Sequence, residues 1–132
     1  MTQPRDVCLV FDTTAITSWV RGSVAVGETL AEIADDNGAV LIPLWCLVEA
    51  GHDIGMIDRE RLDLLLAHAA TYLIADDTDD WEMLAGLRAL TGRHDCASAA
   101  LLAIEMNVDV MTRHPEWYKA VRNGQLTLLI ED

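Results

Sequence analysis

Short continuous apolar runs alternate with amphipathic stretches along the whole of this chain. The runs Val7 to Phe11, Ala39 to Ile42, Thr71 to Ala75, Val108 to Met111 and Leu126 to Ile130 have the length and apolarity of strands covered on both faces. Between them the spacing is helical. Asp12-Thr13-Thr14 opens a helix to about Arg21, stopped by Gly22. Gly27 to Asp36 carries Leu30, Ile33 and Ala34 on one face and closes at Asn37-Gly38. Pro43 suits the first turn of the helix LWCLVEAGHDI, and Asp58 to Ala70 shows a Leu62, Leu65, Leu66, Ala69 stripe. Trp81 to Leu90 follows, then a helix from His94 or Asp95 to Met106 whose face of Ala97, Ala100, Leu101 and Ile104 can lie flat on a sheet. Asn107 ends it, Pro115 starts a short helix through Val121, and Asn123-Gly124 turns into the last strand.

This alternation predicts an α/β protein in three layers, a parallel sheet between helices. Sites in such folds lie at the carboxyl ends of the strands, where the strand order reverses. In a 3-2-1-4-5 order the crevice falls between the first and fourth strands, at Asp12 and Thr112.

Composition narrows the classes. A chain of 132 residues, 52% of them hydrophobic, is enough for one domain with a real core and too short for two. No apolar run is long enough to span a bilayer, and MTQPRD lacks the apolar core of a signal peptide, so a cytoplasmic protein is expected. Cys8, Cys46 and Cys96 sit in apolar runs and read as small core residues, not as a disulfide framework or zinc site. Trp19, Trp45 and Trp81 are expected in the core, with a dimer or partner surface as the alternative.

The net charge of −13 argues against generic adhesion to nucleic acid. Its distribution changes that picture. From Arg88 to Arg122 five basic residues face four acids, whereas the rest of the chain carries four against eighteen. An anionic substrate should approach the C-terminal third, and the acidic remainder favours a basic partner.

Three carboxylates stand out. Glu49 lies among apolar neighbours, with Trp45 and Cys46 on its face, and a desolvated carboxylate needs a cation, a donor or an exit to water. Asp12 ends the first strand and Asp95 opens a helix otherwise built for burial. Each alone reads as a helix cap. Together at one crevice they would need a divalent cation or shared protons, and hard oxygen ligands suit Mg²⁺ or Mn²⁺. The cluster Asp76, Asp77, Asp79, Asp80 reads as a solvated loop and helix start.

FDTTAI, WCLVEAG, and HDCASAALLAIEMNVDVMTRH followed by PEWY resemble, in order and spacing, the successive motifs of PIN-domain ribonucleases, including VapC-type toxins of toxin–antitoxin pairs. The resemblance implies a PIN-like fold over residues 1–132, hydrolysis of RNA phosphodiesters at a metal-binding acidic pocket, an antitoxin partner and a homodimer. It also implies that Asp12, Glu49 and Asp95 are the acidic ligands and that Thr112 is the Ser/Thr at the end of the fourth strand, orienting a ligand or water. The cation in such a site activates water and neutralises transition-state charge. Arg93 and Arg113 are candidates to hold flanking phosphates. One position departs from the pattern: His114 stands where the family carries a further Asp or Asn. His can ligate Mn²⁺, suits Mg²⁺ poorly and can carry a positive charge.

Two other readings compete. One is a non-catalytic PIN-fold module that binds a protein or RNA. The other, a receiver-like phosphoacceptor, wants an acid pair after strand one and a Lys near the last strand, but the only Lys is Lys119. If the three acids converge without a cation, Asp95→Asn is expected to leave the metal-free protein as stable as wild type or more so.

Overall fold

The computed structural model describes residues 4–55 and 57–132. Part of the MTQPRD segment and Met56 therefore lie outside the described residues. Five strands form one all-parallel sheet in the order 3-2-1-4-5: β1 (Asp6–Phe11), β2 (Gly38–Pro43), β3 (Thr71–Ile74), β4 (Asp109–Thr112) and β5 (Thr127–Leu129). The central strands are apolar because both faces are covered; Val10, Phe11, Val40, Ile42 and Val110 are fully buried.

Topology sorts the helices into layers. The chain steps from β1 to β2 through α1 (Thr13–Val20) and α2 (Val24–Asp35). It steps on to β3 through α3 (Leu44–Ile54) and α4 (Arg59–Leu66). It then returns past β1 to β4 through α5 (Trp81–Thr91) and α6 (His94–Met106). Right-handed crossovers place the first set on one face and the returning pair on the other. Accordingly α2 packs on β2 and α4 on β3, while α6 crosses β1, β2 and β4 with α5 outside it. The helix α3 bridges α1 and α6 at the carboxyl end of the sheet.

Residues Asp95 through Ala103 of α6 are all buried. The small face read from the sequence is only half of its packing, because α5 and α3 cover the other sides. Asn107 ends the helix in the left-handed conformation (φ 54°), which Asn tolerates well. Gly38 is required by close approach: a Cβ there would lie 2.7 Å from both Cys8 Sγ and Ile33 Cγ2.

Several sequence expectations shift. The second helix starts at Val24, where Ser23 caps the Val26 amide, rather than at Gly27. The fourth helix ends at Leu66, not Ala70, because the Thr71 hydroxyl takes the Leu65 and His68 carbonyls into a turn. The segment after β4 forms 3₁₀ turns at Pro115–Tyr118 and Arg122–Gly124 in place of one short helix. Cys46 and Cys96 are buried as expected, but Cys8 is exposed: the β1–β2 register slips between Val7 and Leu9, leaving Cys8 outside the ladder. Trp45 and Trp81 are 42% and 65% exposed, so neither is a core residue; Trp19, like Trp117, packs against the core. The acid cluster is a loop and helix start as expected, with Asp77 capping the Asp79 amide and Asp76 accepting from Ser98. Among the described residues no helix is long and apolar enough to cross a membrane.

Candidate active site

The reversal of strand order puts the end of β1 beside the end of β4. Asp12 follows β1, and its amide still donates to Met111 O of β4. As the N-cap of α1 it turns its carboxylate to the helix start, where Oδ1 accepts from the Thr14 amide (2.9 Å), the Ala15 amide (3.1 Å) and the Thr14 hydroxyl (2.7 Å). The capping role read from the sequence is therefore real. It does not use the whole carboxylate, because Oδ2 accepts from the Tyr118 hydroxyl at 2.8 Å, far along the chain. Burial pushes the Asp12 carboxyl above its usual 3.8, and donation from Thr112, Thr14, Tyr118 and Ala15 only partly offsets it.

Asp95 lies in the first turn of α6, whose N-cap is Arg93. Its two oxygens accept from Arg93 Nε and Nη2, each at 3.1 Å, and Oδ2 also accepts from the Thr13 hydroxyl at 2.6 Å. Burial alone would raise its carboxyl. The hydrogen bonds from Arg93 and Thr13 and the Arg93 charge outweigh it and hold the group below 3.8. Thr13, next to Asp12 in the chain, thus hydrogen-bonds to Asp95.

Glu49, on α3, is half-buried and lines a cleft of about 570 Å³ together with Thr13, Arg93, Arg113 and His114; Asp12 and Asp95 are not among its lining residues. Thr112 is fully buried; its hydroxyl lies 3.3 Å from the Thr14 hydroxyl and accepts from the His114 amide at 3.0 Å. The Thr14 hydroxyl in turn accepts from the Arg113 amide, so two threonines pin the loop that follows β4. Arg113 reaches back to Ser18 Oγ at 2.6 Å and to Asp132 at 2.7 Å. His114 stacks on Trp117 (centroids 4.2 Å apart, planes 22°) with Nδ1 against Glu116 at 2.9 Å. Burial pushes the Cys96 thiol up to about 12 and Cys46 well above its ordinary value, so neither is a thiolate nucleophile.

The donor types fit a hard divalent cation: carboxylate oxygens from the end of β1, from α3 and from α6. The arrangement does not. Among the described residues no three Asp, Glu, His or Cys side chains gather closely enough to hold one ion. Asp95 is covered by Arg93 and Thr13, and each oxygen of Asp12 already accepts from a donor.

Sequence reading missed Tyr118, Thr13, Thr14, Trp117 and Arg21. Tyr118, Thr13 and Thr14 are ordinary residues until the fold sets them on the acids, Trp117 stacks on His114 under Arg93, and Arg21 lines the cleft just beyond α1. Tyr118 has a clear consequence. Tyr118→Phe leaves Asp12 Oδ2 without its donor, and should cost about 1–2 kcal/mol in urea denaturation at neutral pH. An unchanged midpoint would mean that the contact contributes nothing.

No family model matches the chain, and no curated protein matches it. Solved structures do. PAE2754 from Pyrobaculum aerophilum is 15% identical and superposes with a TM-score of 0.63, over 94% of this chain and 91% of that one. VapBC2 from Rickettsia felis, solved bound to a DNA fragment from their promoter, is 17% identical with a TM-score of 0.69, over 95% of this chain and 97% of the other. Those superpositions take in nearly the whole of this chain, including its all-parallel 3-2-1-4-5 sheet. The fold of this chain is a three-layer α/β/α PIN-like fold.

Proposed function

We propose that this chain is a single-domain ribonuclease of the toxin class, hydrolysing RNA phosphodiester bonds in the cleft between β1 and β4. One observation supports this above the others: two acids, Asp12 and Asp95, are buried, and Thr13, next to Asp12 in the chain, hydrogen-bonds to Asp95. Burying carboxylates costs several kcal/mol each, a cost that core packing alone gives no reason to bear. In this reading Asp12, Glu49 and Asp95 are the acidic ligands for Mg²⁺ or Mn²⁺ and His114 is an outer one, although the arrangement described above gives an ion no ready seat. Thr112 fixes the loop carrying Arg113 and His114. Arg93 and Arg113, joined by Arg21, face phosphate in an otherwise acidic protein.

The partners follow the same reading. An antitoxin with basic character would suit the acidic surface. Exposed Leu44, Trp45 and Val48 on α3 and exposed Trp81 offer apolar area for it or for a homodimer. Three free thiols suit the cytoplasm. A second reading, a PIN-fold binding module without catalysis, is favoured by the Arg93 clasp on Asp95 and by Glu116 holding His114.

Cleavage of a mixed single-stranded RNA pool separates them. The enzyme reading expects cleavage with Mn²⁺ that EDTA abolishes, weaker with Mg²⁺. RNA retained intact under all conditions would favour the binding module. His114→Asp, which replaces a group held by Glu116 with a hard oxygen donor, should raise Mg²⁺-dependent cleavage several-fold. A loss of cleavage in that variant would show that His114 itself takes part.

A further inference from the structure

The segment that follows β4 builds an aromatic surface that the buried acids do not use. As the chain leaves the strand, the Thr112 hydroxyl accepts from the His114 amide at 3.0 Å. Pro115 then starts a 3₁₀ turn, in which the Trp117 amide donates to the His114 carbonyl at 3.0 Å. Three residues per turn set side chains three apart over one another. His114 accordingly stacks on Trp117, with centroids 4.2 Å apart and planes at 22°. The indole beneath is anchored, because it packs against the hydrophobic core and the Arg93 guanidinium carbon lies 4.3 Å over its ring. Glu116 holds the imidazole by its edge, 2.9 Å from Nδ1. With one face and one edge fixed, the His114 side chain is still 44% exposed, and the opposite face accounts for that exposure. A ring fixed in this way loses little freedom when a second flat group stacks on it.

The same wall carries positive charge. His114 and Trp117 line the cleft with Arg21, Arg93 and Arg113, three arginines against the two acids Glu49 and Asp53. Arg93 and Arg113 are held by Asp95 and Asp132, and each keeps guanidinium donors beyond those bonds. We propose that the outer face of His114 is a stacking platform for one unpaired base of single-stranded RNA, beside the phosphates that these arginines face. This deepens the ribonuclease reading and rests on it for the ligand, but it calls for no metal ion. Aromatic faces for bases and positive charge for the backbone are what hold single strands. Every base has a face to stack, so the platform positions the strand without reading its sequence.

Fluorescence anisotropy of a short labelled single-stranded RNA tests this in EDTA, with the full chain as wild type, His114→Ala, His114→Phe and His114→Asp. His114→Ala should bind about tenfold more weakly. His114→Phe keeps the ring face but loses the Glu116 contact, and should bind within about twofold of wild type. His114→Asp, whatever its effect on cleavage, should bind no better than His114→Ala. An abasic site moved along the RNA should weaken wild-type binding at one position and leave His114→Ala indifferent to it. The wild-type half of that scan decides the matter if the alanine variant does not fold. Wild-type affinity in His114→Ala, a phenylalanine variant as weak as alanine, or no abasic position that matters would overturn the platform and leave RNA binding standing. RNA bound by none of the four proteins would overturn the RNA reading and the platform with it.

Discussion

Asp12→Asn should abolish RNA cleavage and at the same time make the metal-free protein more stable at neutral pH. Loss of supporting partners around a metal ligand typically costs about 10–100-fold, so loss of the ligand itself should exceed about 100-fold. The stability gain follows from burial. Asp12 is 1% exposed, and its folded carboxyl titrates above the 3.8 of the unfolded chain. Between those two values the folded protein keeps a proton that the unfolded chain has lost, so stability falls as pH rises through that window. Asparagine carries no charge to bury. It can keep an acceptor toward the Thr14 and Ala15 amides and donate to the Tyr118 oxygen. The gain should be about 1 kcal/mol near neutrality and fade towards pH 4 and below, as read by urea denaturation in EDTA. A variant less stable than wild type at neutral pH would show that the hydrogen bonds to the charged form, not burial, dominate at Asp12.

Asp95→Asn should lose cleavage to a similar degree, but lose stability as well. Here burial is outweighed by the Arg93 and Thr13 hydrogen bonds and the Arg93 charge, and the folded carboxyl titrates below 3.8. Its contribution is therefore fully present above 3.8 and is lost as pH falls through the folded value. An amide cannot serve both arms of the Arg93 fork as acceptor. The cost should be about 1–2 kcal/mol at neutral pH. It stays below that of a fully buried pair, because the Arg93 side chain is 38% exposed and partly screened. Towards strong acid the difference from wild type should disappear. The stability gain expected from the sequence for Asp95 is instead expected for Asp12, and there from burial rather than repulsion, because Asp95 has Arg93 as its cation. Equal stability of Asp95→Asn and wild type at neutral pH would remove the basis for treating Arg93 as a counter-ion.

The fold was readable because its signals are local. Five short apolar runs separated by helical periodicity leave few ways to build a sheet, and Asp12 and Thr112 end neighbouring strands as that order requires. Boundaries failed where a hydroxyl decided them: Ser23 starts α2 early and Thr71 cuts α4 short. The bulge at Cys8 leaves no mark in an unbroken apolar run. The places of Asp12, Glu49 and Asp95 on their elements were legible: the end of β1, the middle of α3 and the first turn of α6. What their carboxylates touch was not. Tyr118 reaches Asp12 across 106 residues of sequence, and Trp117 meets Arg93 only because β4 returns beside β1. Arg93 itself was visible as a cation near a phosphate path. Its grip on Asp95 depends on a side chain folding back over a helix start, which spacing alone does not specify.

The proposed ribonuclease reading makes Asp12, Glu49 and Asp95 ligands of one divalent cation. Electron paramagnetic resonance of Mn²⁺ titrated into wild type, Asp12→Asn, Glu49→Gln and Asp95→Asn reads it most directly. One tight Mn²⁺ in wild type, weakened at least about tenfold in each of the three variants, is the predicted result. Wild-type affinity retained in all three, or no tight Mn²⁺ in wild type, would contradict it.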